Sequence, residues 1–167
     1  MSRTAPMPVP RTAIVLFAPR GAPWQPDAEL AGLKQALRDG RITRFAIANP
    51  AHAPYGRAAQ QALQRAGLWA ALEPKLVLGE NATQAAQFAT SGSVQGGIFP
   101  LSLASAPVFA DAGRHVTLPA ALHDPLRQRM VLTRRAGAAA SAFYRHLQRP
   151  DARTLLRRYG FALPGEG

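Results

Sequence analysis

Apolar residues fall in short unbroken runs, separated by Pro and Gly and by stretches with helical spacing. Residues 12–18 (TAIVLFA) form a run of strand length that Pro19 and Gly21 stop. Asp27 can cap a helix carrying Leu30, Leu33 and Leu37 on one face, with Gly40 beyond its end. Residues 45–48 predict a second buried strand, ended by Asn49-Pro50. A helix is expected over 54–66, with Pro54 at its first position and Gly67 closing it. Residues 75–78 predict a third strand, and Asn81 caps a helix over 82–90 that Ser91-Gly92 ends. Further strands are expected at 97–99, 115–118 and 126–133, then helices over 139–148 and from Pro150 to just before Gly160. Strands alternating with helices predict an α/β layer architecture with a largely parallel sheet.

The first ten residues, MSRTAPMPVP, break this pattern. They are Pro-rich and have neither an apolar core segment nor a small-residue cleavage pattern. They read as a disordered leader, not a signal peptide.

Composition narrows the classes. Of 167 residues, 47% are apolar and 17% charged, enough to bury a core and too little charge for wholesale disorder. With no cysteine, disulfides and thiolate chemistry are excluded. No apolar run approaches the roughly 20 residues of a membrane span. The net charge of +11 points toward an anionic partner. Of the basic residues only Lys34 and Lys75 are lysines, and nine arginines from Arg127 to Arg158 face only Asp151 and Glu166 in the last 41 residues.

Catalytic patterns are missing. His52, His115, His123 and His146 have no helical i,i+4 partner, and the chain has no P-loop, nucleophile elbow or metal-ligand cluster. Asp111 and Asp124 read as turn and capping residues, so the chain is expected not to be an enzyme. Two strand-to-helix junctions carry more meaning: 49–56 (NPAHAPYG) and 79–83 (GENAT). Each sets a helix N-terminus at the carboxyl end of a strand, where open α/β sheets bind ligands. The first N–H groups of a helix have no intrahelical partner and carry partial positive charge, so two converging termini would make an anion site from neutral donors. Two ordinary capped helices fit the same spacing.

The run FAIANPAHAPYGRAA at 45–59 resembles the signature segment of periplasmic molybdate-binding proteins of ABC transporters. The resemblance continues in register through AGLW at 66–69, PKL at 74–76, GENATQAA at 79–86, GIF at 97–99, AFYRHL at 142–147 and RYGF at 158–161. It implies a lobe of the type II periplasmic-binding-protein architecture, a mostly parallel sheet flanked by helices, over 11–130. Residues 131–167 would form a C-terminal return strand and helices.

The family likeness implies a bound tetrahedral oxyanion, molybdate or tungstate, held by neutral donors with no cofactor and no direct cation ligands. Carried over, Tyr55 and Ala82 would offer backbone N–H groups, with Asn81, Gly56 and Pro100 in support. Ala82 stands where the family usually has Val. Pro100 stands where one branch has a Tyr hydroxyl, and it supplies neither hydroxyl nor N–H. The chain resembles the second lobe and C-terminal segment, with the first lobe and signal peptide missing, which implies a truncated form with weakened binding. The resemblance implies a periplasmic location, or a cytoplasmic one if Met1 is the true start. Its partner would be the inner-membrane ABC permease, and the helices at 139–161, lacking a first lobe, would pair two chains. The competing expectation is a basic module binding nucleic acid or another polyanion through its C-terminal arginines; without a helix-turn-helix or an aromatic platform, nucleic acid is disfavoured.

Overall fold

The structure, a computed structural model, describes residues 7–163. It separates into two compact units: residues 13–126, and the flanking segments up to Thr12 and from Arg127 onward.

The larger unit is built on a five-stranded sheet. Its strands are β2 (Ile14–Pro19), β3 (Phe45–Ala48), β4 (Leu76–Gly79), β5 (Gly97–Pro100) and β6 (Gly113–Thr117), following β1 (Met7–Thr12) of the other unit. The order is β4-β3-β5-β2-β6. β3 runs parallel to β4 and β5, while β2 is antiparallel to β5 and β6. Four strands therefore share one direction and β2, lying between β5 and β6, opposes them, so the sheet is mixed, with two parallel and two antiparallel pairings. The helices are α1 (Ala31–Arg38), α2 (Pro54–Arg65), α3 (Trp69–Leu72), α4 (Ala82–Thr90), α5 (Leu101–Ala104) and α6 (Pro107–Ala110).

The inner strands are unbroken apolar runs because both sheet faces are covered. On one face Ile14, Leu16, Phe45, Ile47 and Ile98 pack against Leu33 of α1 and Ala58, Ala59, Ala62 and Leu63 of α2. On the other, Val15, Phe17, Ala46 and Phe99 pack against Ala86 and Ala89 of α4. The Phe17 and Phe99 rings lie 5.2 Å apart, tilted. The helices meet the sheet largely through alanine, so they sit close to it.

Asp27 caps α1 as the sequence predicts, but from farther away. Leu30 precedes the helix in the left-handed region at φ 58°. The Asp27 carboxylate reaches past it to accept the N–H groups of Glu29, Ala31 and Gly32 at 3.0, 3.0 and 2.6 Å. A second polar clamp holds the end of this unit. Arg65 donates to the Asp124 carboxylate and the Ala121 carbonyl, and Gln61 both donates to the Asp124 side chain and accepts its N–H. Residues near Leu126 are thereby tied to α2.

The smaller unit is a three-stranded antiparallel sheet, β7-β1-β8, of β7 (Arg127–Met130), β1 and β8 (Phe161–Ala162), with α7 (Ala138–His146) and α8 (Pro150–Arg158). Two expectations change here. Residues 7–10, expected as disordered leader, belong to β1, which gains backbone partners on both sides; residues 1–6 lie outside the described residues. The expected lobe of 11–130 ends at Leu126, because β7 pairs with β1 and not with the larger sheet. Within α7 and α8, Tyr144 and Ala152 are buried, whereas Phe143 and Leu155 are 62% and 53% exposed. No helix among the described residues is long and apolar enough to cross a membrane.

Two glycines set how closely the helices start. A Cβ on Gly56 would strike the Ala48 carbonyl and stand 2.8 Å from the Asn49 carbonyl carbon; on Gly79 it would stand 2.6 Å from the Ala85 nitrogen. These obstacles are backbone, and no rotamer change relieves them. Gly56→Ala and Gly79→Ala are each expected to destabilise the fold by about 1–3 kcal/mol, the usual cost of overpacking. Gly137→Ala, with nothing within 4 Å of its Cβ, should stay within about 0.5 kcal/mol in the same urea titration.

The Asp124 clamp predicts a pH dependence. Hydrogen bonds from Arg65 and then Gln61 hold this carboxyl below its ordinary 3.8. A lowered carboxyl stabilises the fold above the ordinary value and loses that contribution as pH falls through the lowered one. Asp124→Asn should therefore cost stability at neutral pH and flatten its decline below about pH 4. Thermal melts of both proteins between pH 2 and 7 read the difference.

Candidate functional site

The carboxyl ends of three adjacent parallel strands form one edge of the larger sheet. Ala48 of β3 stands opposite Gly79 of β4, and Ile47 opposite Ile98 of β5, so the residues after them leave the sheet together. The Asn49 N–H extends the ladder by one bond, to the Gly79 carbonyl at 2.8 Å.

After β3 the chain turns at once. The Asn49 side-chain oxygen accepts the Ala51 N–H at 3.0 Å, and its carbonyl accepts the Ala53 N–H at 2.9 Å. This tight turn delivers Ala53, in extended conformation, as the residue before α2, and Pro54 occupies the first helical position. No side chain caps α2. The Tyr55 ring is half-buried against the core on the α2 face of the sheet, so it serves packing. Gly56, by lacking a Cβ, lets the first turn of α2 lie against the end of β3.

The second junction has a different start. Asn81 accepts the Gln84 N–H at 2.9 Å, and the Gln84 side chain reaches back to the Glu80 N–H at 2.7 Å. This reciprocal pair is a near relative of the capping box, shifted by one residue on the return bond. Its side-chain oxygen thus holds the start of α4, and Ala82 is the first helical residue.

The helix bodies lie on opposite sheet faces, α2 with one core and α4 with the other. Their starts meet at the edge. Ala48, Ala53 and Ala85 form a small buried cluster there, joining the residue before α2 to the first turn of α4. The His52 Nε2 lies 3.0 Å from the Glu80 carbonyl oxygen and 3.4 Å from its carboxylate. Nothing in the sequence signals this contact, since the two residues stand 28 positions apart and neither completes a motif.

Pro100 ends β5, pairs with Ile14 and is buried. It borders the same edge, but its ring can act there only as an apolar wall. An open cleft of about 490 Å³ lies elsewhere, lined by Trp24, Gln25, Asp27, Gln35 and Arg41 among others. Its charged groups are already engaged: Asp27 with the start of α1, Arg41 with Asp39 and the Pro23 carbonyl. Among the described residues, no group of three or more His, Asp and Glu could hold a metal ion. The strand-end edge therefore offers two helix starts, each with partial positive charge equivalent to roughly half an elementary charge.

Residues 4–162 match the family profile described as bacterial extracellular solute-binding protein. The chain is 34% identical over 140 residues to the molybdate-binding protein ModA of Rhodobacter capsulatus, covering 83% of this chain and 54% of that one. It is 34% identical over 129 residues to ModA of Azotobacter vinelandii, covering 76% and 51%. It thus spans about half the length of the curated relatives it matches. The solved periplasmic molybdate-binding protein of Azotobacter vinelandii superposes with a TM-score of 0.79 at 26% identity, over 96% of this chain and 69% of that one. The chain belongs to the family of bacterial extracellular solute-binding proteins, and its fold is that of their molybdate-binding members.

Proposed function

We propose that this chain binds a tetrahedral oxyanion, molybdate or tungstate, at the strand-end edge of its larger sheet. The observation that carries the reading is the meeting of two helix starts, joined through Ala53 and Ala85, beyond adjacent parallel strands. In this reading the backbone N–H groups of Tyr55 and Ala82 are the principal donors, and Gly56 and Asn81 shape and hold the turns that present them. The names of the relatives support molybdate as the ligand. The chain acts by binding without chemistry, in the periplasm, and hands the anion to an inner-membrane ABC permease. Fixed neutral donors select by cavity size, because they cannot rearrange around a smaller anion as water does. Surface arginines raise the encounter rate and make it salt-dependent, without setting the preference among anions.

Calorimetry with molybdate, tungstate and sulfate tests this directly, and both larger anions should bind more tightly than sulfate. Ala82→Pro is the cleanest variant. Position 82 is the first helical residue, and Asn81 before it already has the extended backbone that proline requires of its neighbour. Losing a hydrogen bond to a charged group should cost about 1.5–3 kcal/mol of affinity. Tyr55→Pro should cost as much, with some added strain because it restricts the helical Pro54. Arg157→Glu with Arg158→Glu should alter salt dependence and leave the order of anions unchanged. If those arginine changes abolish binding while Ala82→Pro is silent, a polyanion-binding basic module replaces this reading.

We also propose self-association through residues 139–161. Burial of Tyr144 and Ala152 within the described chain leaves Phe143 and Leu155 as the large exposed apolar groups of α7 and α8. Their burial between two chains is opposed by the neighbouring arginines, a repulsion screened within about 8 Å at physiological salt. Light scattering should show association that strengthens with added salt and is lost in the Phe143→Ser, Leu155→Ser double variant. A monomer at every salt concentration refutes it.

A further inference from the structure

The geometry points to His52 as a positioning residue that staples the two halves of the oxyanion site, an inference that rests on the reading above. The loop before α2 and the loop before α4 belong to different strand-helix units, and each could shift independently. Links that join them at the edge include the Asn49 to Gly79 backbone bond, the Ala48–Ala53–Ala85 cluster, and His52 with Glu80. The first lies within the strand ladder and the second is non-directional. The third is a directional side-chain bond that reaches the residue next to Asn81.

Two acceptors stand near the imidazole, and they differ in worth. The Glu80 carboxylate is 3.4 Å away, and the His52 and Glu80 side chains are 51% and 77% exposed, so water competes for this contact. The Glu80 carbonyl oxygen is 3.0 Å away and belongs to the backbone that leads into α4. A carbonyl can only accept, so the bond requires the proton on Nε2. Fixing that carbonyl fixes the peptide between Glu80 and Asn81, which sets where the first N–H groups of α4 point. On the other side, the His52 N–H is 3.3 Å from the Asn49 carbonyl, inside the turn that launches α2. One residue thus ties both donor sets into a single frame before the anion arrives, and pre-organisation of this kind reduces the ordering cost of binding.

The test compares His52→Ala, His52→Gln and Glu80→Gln in the intact chain by molybdate calorimetry, thermal melting, and NMR without anion. His52→Ala should lower affinity about fivefold, the scale of one neutral hydrogen bond, with little change in melting temperature because the side chain is exposed. His52→Gln, whose amide can donate to the same carbonyl, should restore most of that loss. Glu80→Gln keeps the carbonyl and should lose no affinity, because the carboxylate it removes opposes the anion and its contact with His52 is exposed. In the anion-free protein the His52 nitrogen shifts should report the Nε2–H tautomer, and His52→Ala should speed amide exchange at residues 81–83. An Nδ1–H tautomer with unchanged exchange in His52→Ala overturns the staple, as does a Glu80→Gln loss equal to that of His52→Ala. If the unaltered chain takes up no oxyanion, the binding reading fails, while the tautomer and exchange data still decide whether the staple exists.

Discussion

A helix can begin directly against the end of its own strand only where no Cβ stands between them. Gly56 and Gly79 meet that condition at neighbouring junctions, and the other features of the edge follow from it. Because α2 starts against Ala48, its first turn lies at the rim of the sheet and not beyond a long loop. Because α4 starts against Gly79, Ala85 can reach Ala53. The alanines on both helices extend the same economy of volume inward: small side chains let each helix lie close to its face of the sheet. Aromatic packing, as between Phe17 and Phe99, is kept for the centre, where the antiparallel β2 meets β5.

The edge and the surface use charge differently. Formal positive charge is concentrated toward the C-terminal segment, where nine arginines face two acids over the last 41 residues. At the strand ends the two helix starts carry the positive partial charge of backbone dipoles, and the turns that lead into them hold Asn49, His52, Glu80 and Asn81. Backbone dipoles are held by the fold and do not reorganise when a ligand enters, whereas an arginine on a flexible stem does. A carboxylate at position 80 would oppose an anion, yet it also lies just before α4, where negative charge favours the helix. Its carbonyl, bonded to His52, and its N–H, bonded to Gln84, both serve the geometry of the turn.

Much of the arrangement was legible in the residues. The strand at 45–48 and the helix from 82 to 90 coincide with the sequence reading, because Asn49-Pro50, Asn81 and Ser91-Gly92 are local stop and start signals that act within a turn. The start of α1 was less legible, since Leu30 in the left-handed region displaced the helix from its Asp27 cap. Residues 7–10 of β1 differ from the expected leader because MPVP, with two prolines in four residues, carries no strand signal of its own; the segment becomes a strand by pairing with β7 and β8, distant segments whose arrival no local pattern announces.

The sequence by itself determined the strand at 45–48, the helix over 82–90 and the stop and start signals around them, that two helix starts follow strands, and that small residues stand at those starts. These are properties of φ preference, side-chain volume and spacing, which neighbours along the chain decide. Only the tertiary structure decided that β3 and β4 lie side by side, that α2 and α4 take opposite faces, and that His52 meets Glu80. Those outcomes depend on strand order and on which buried face each helix covers. Both are settled by burying apolar surface between segments far apart in the chain, a non-directional force that leaves no mark at any single residue.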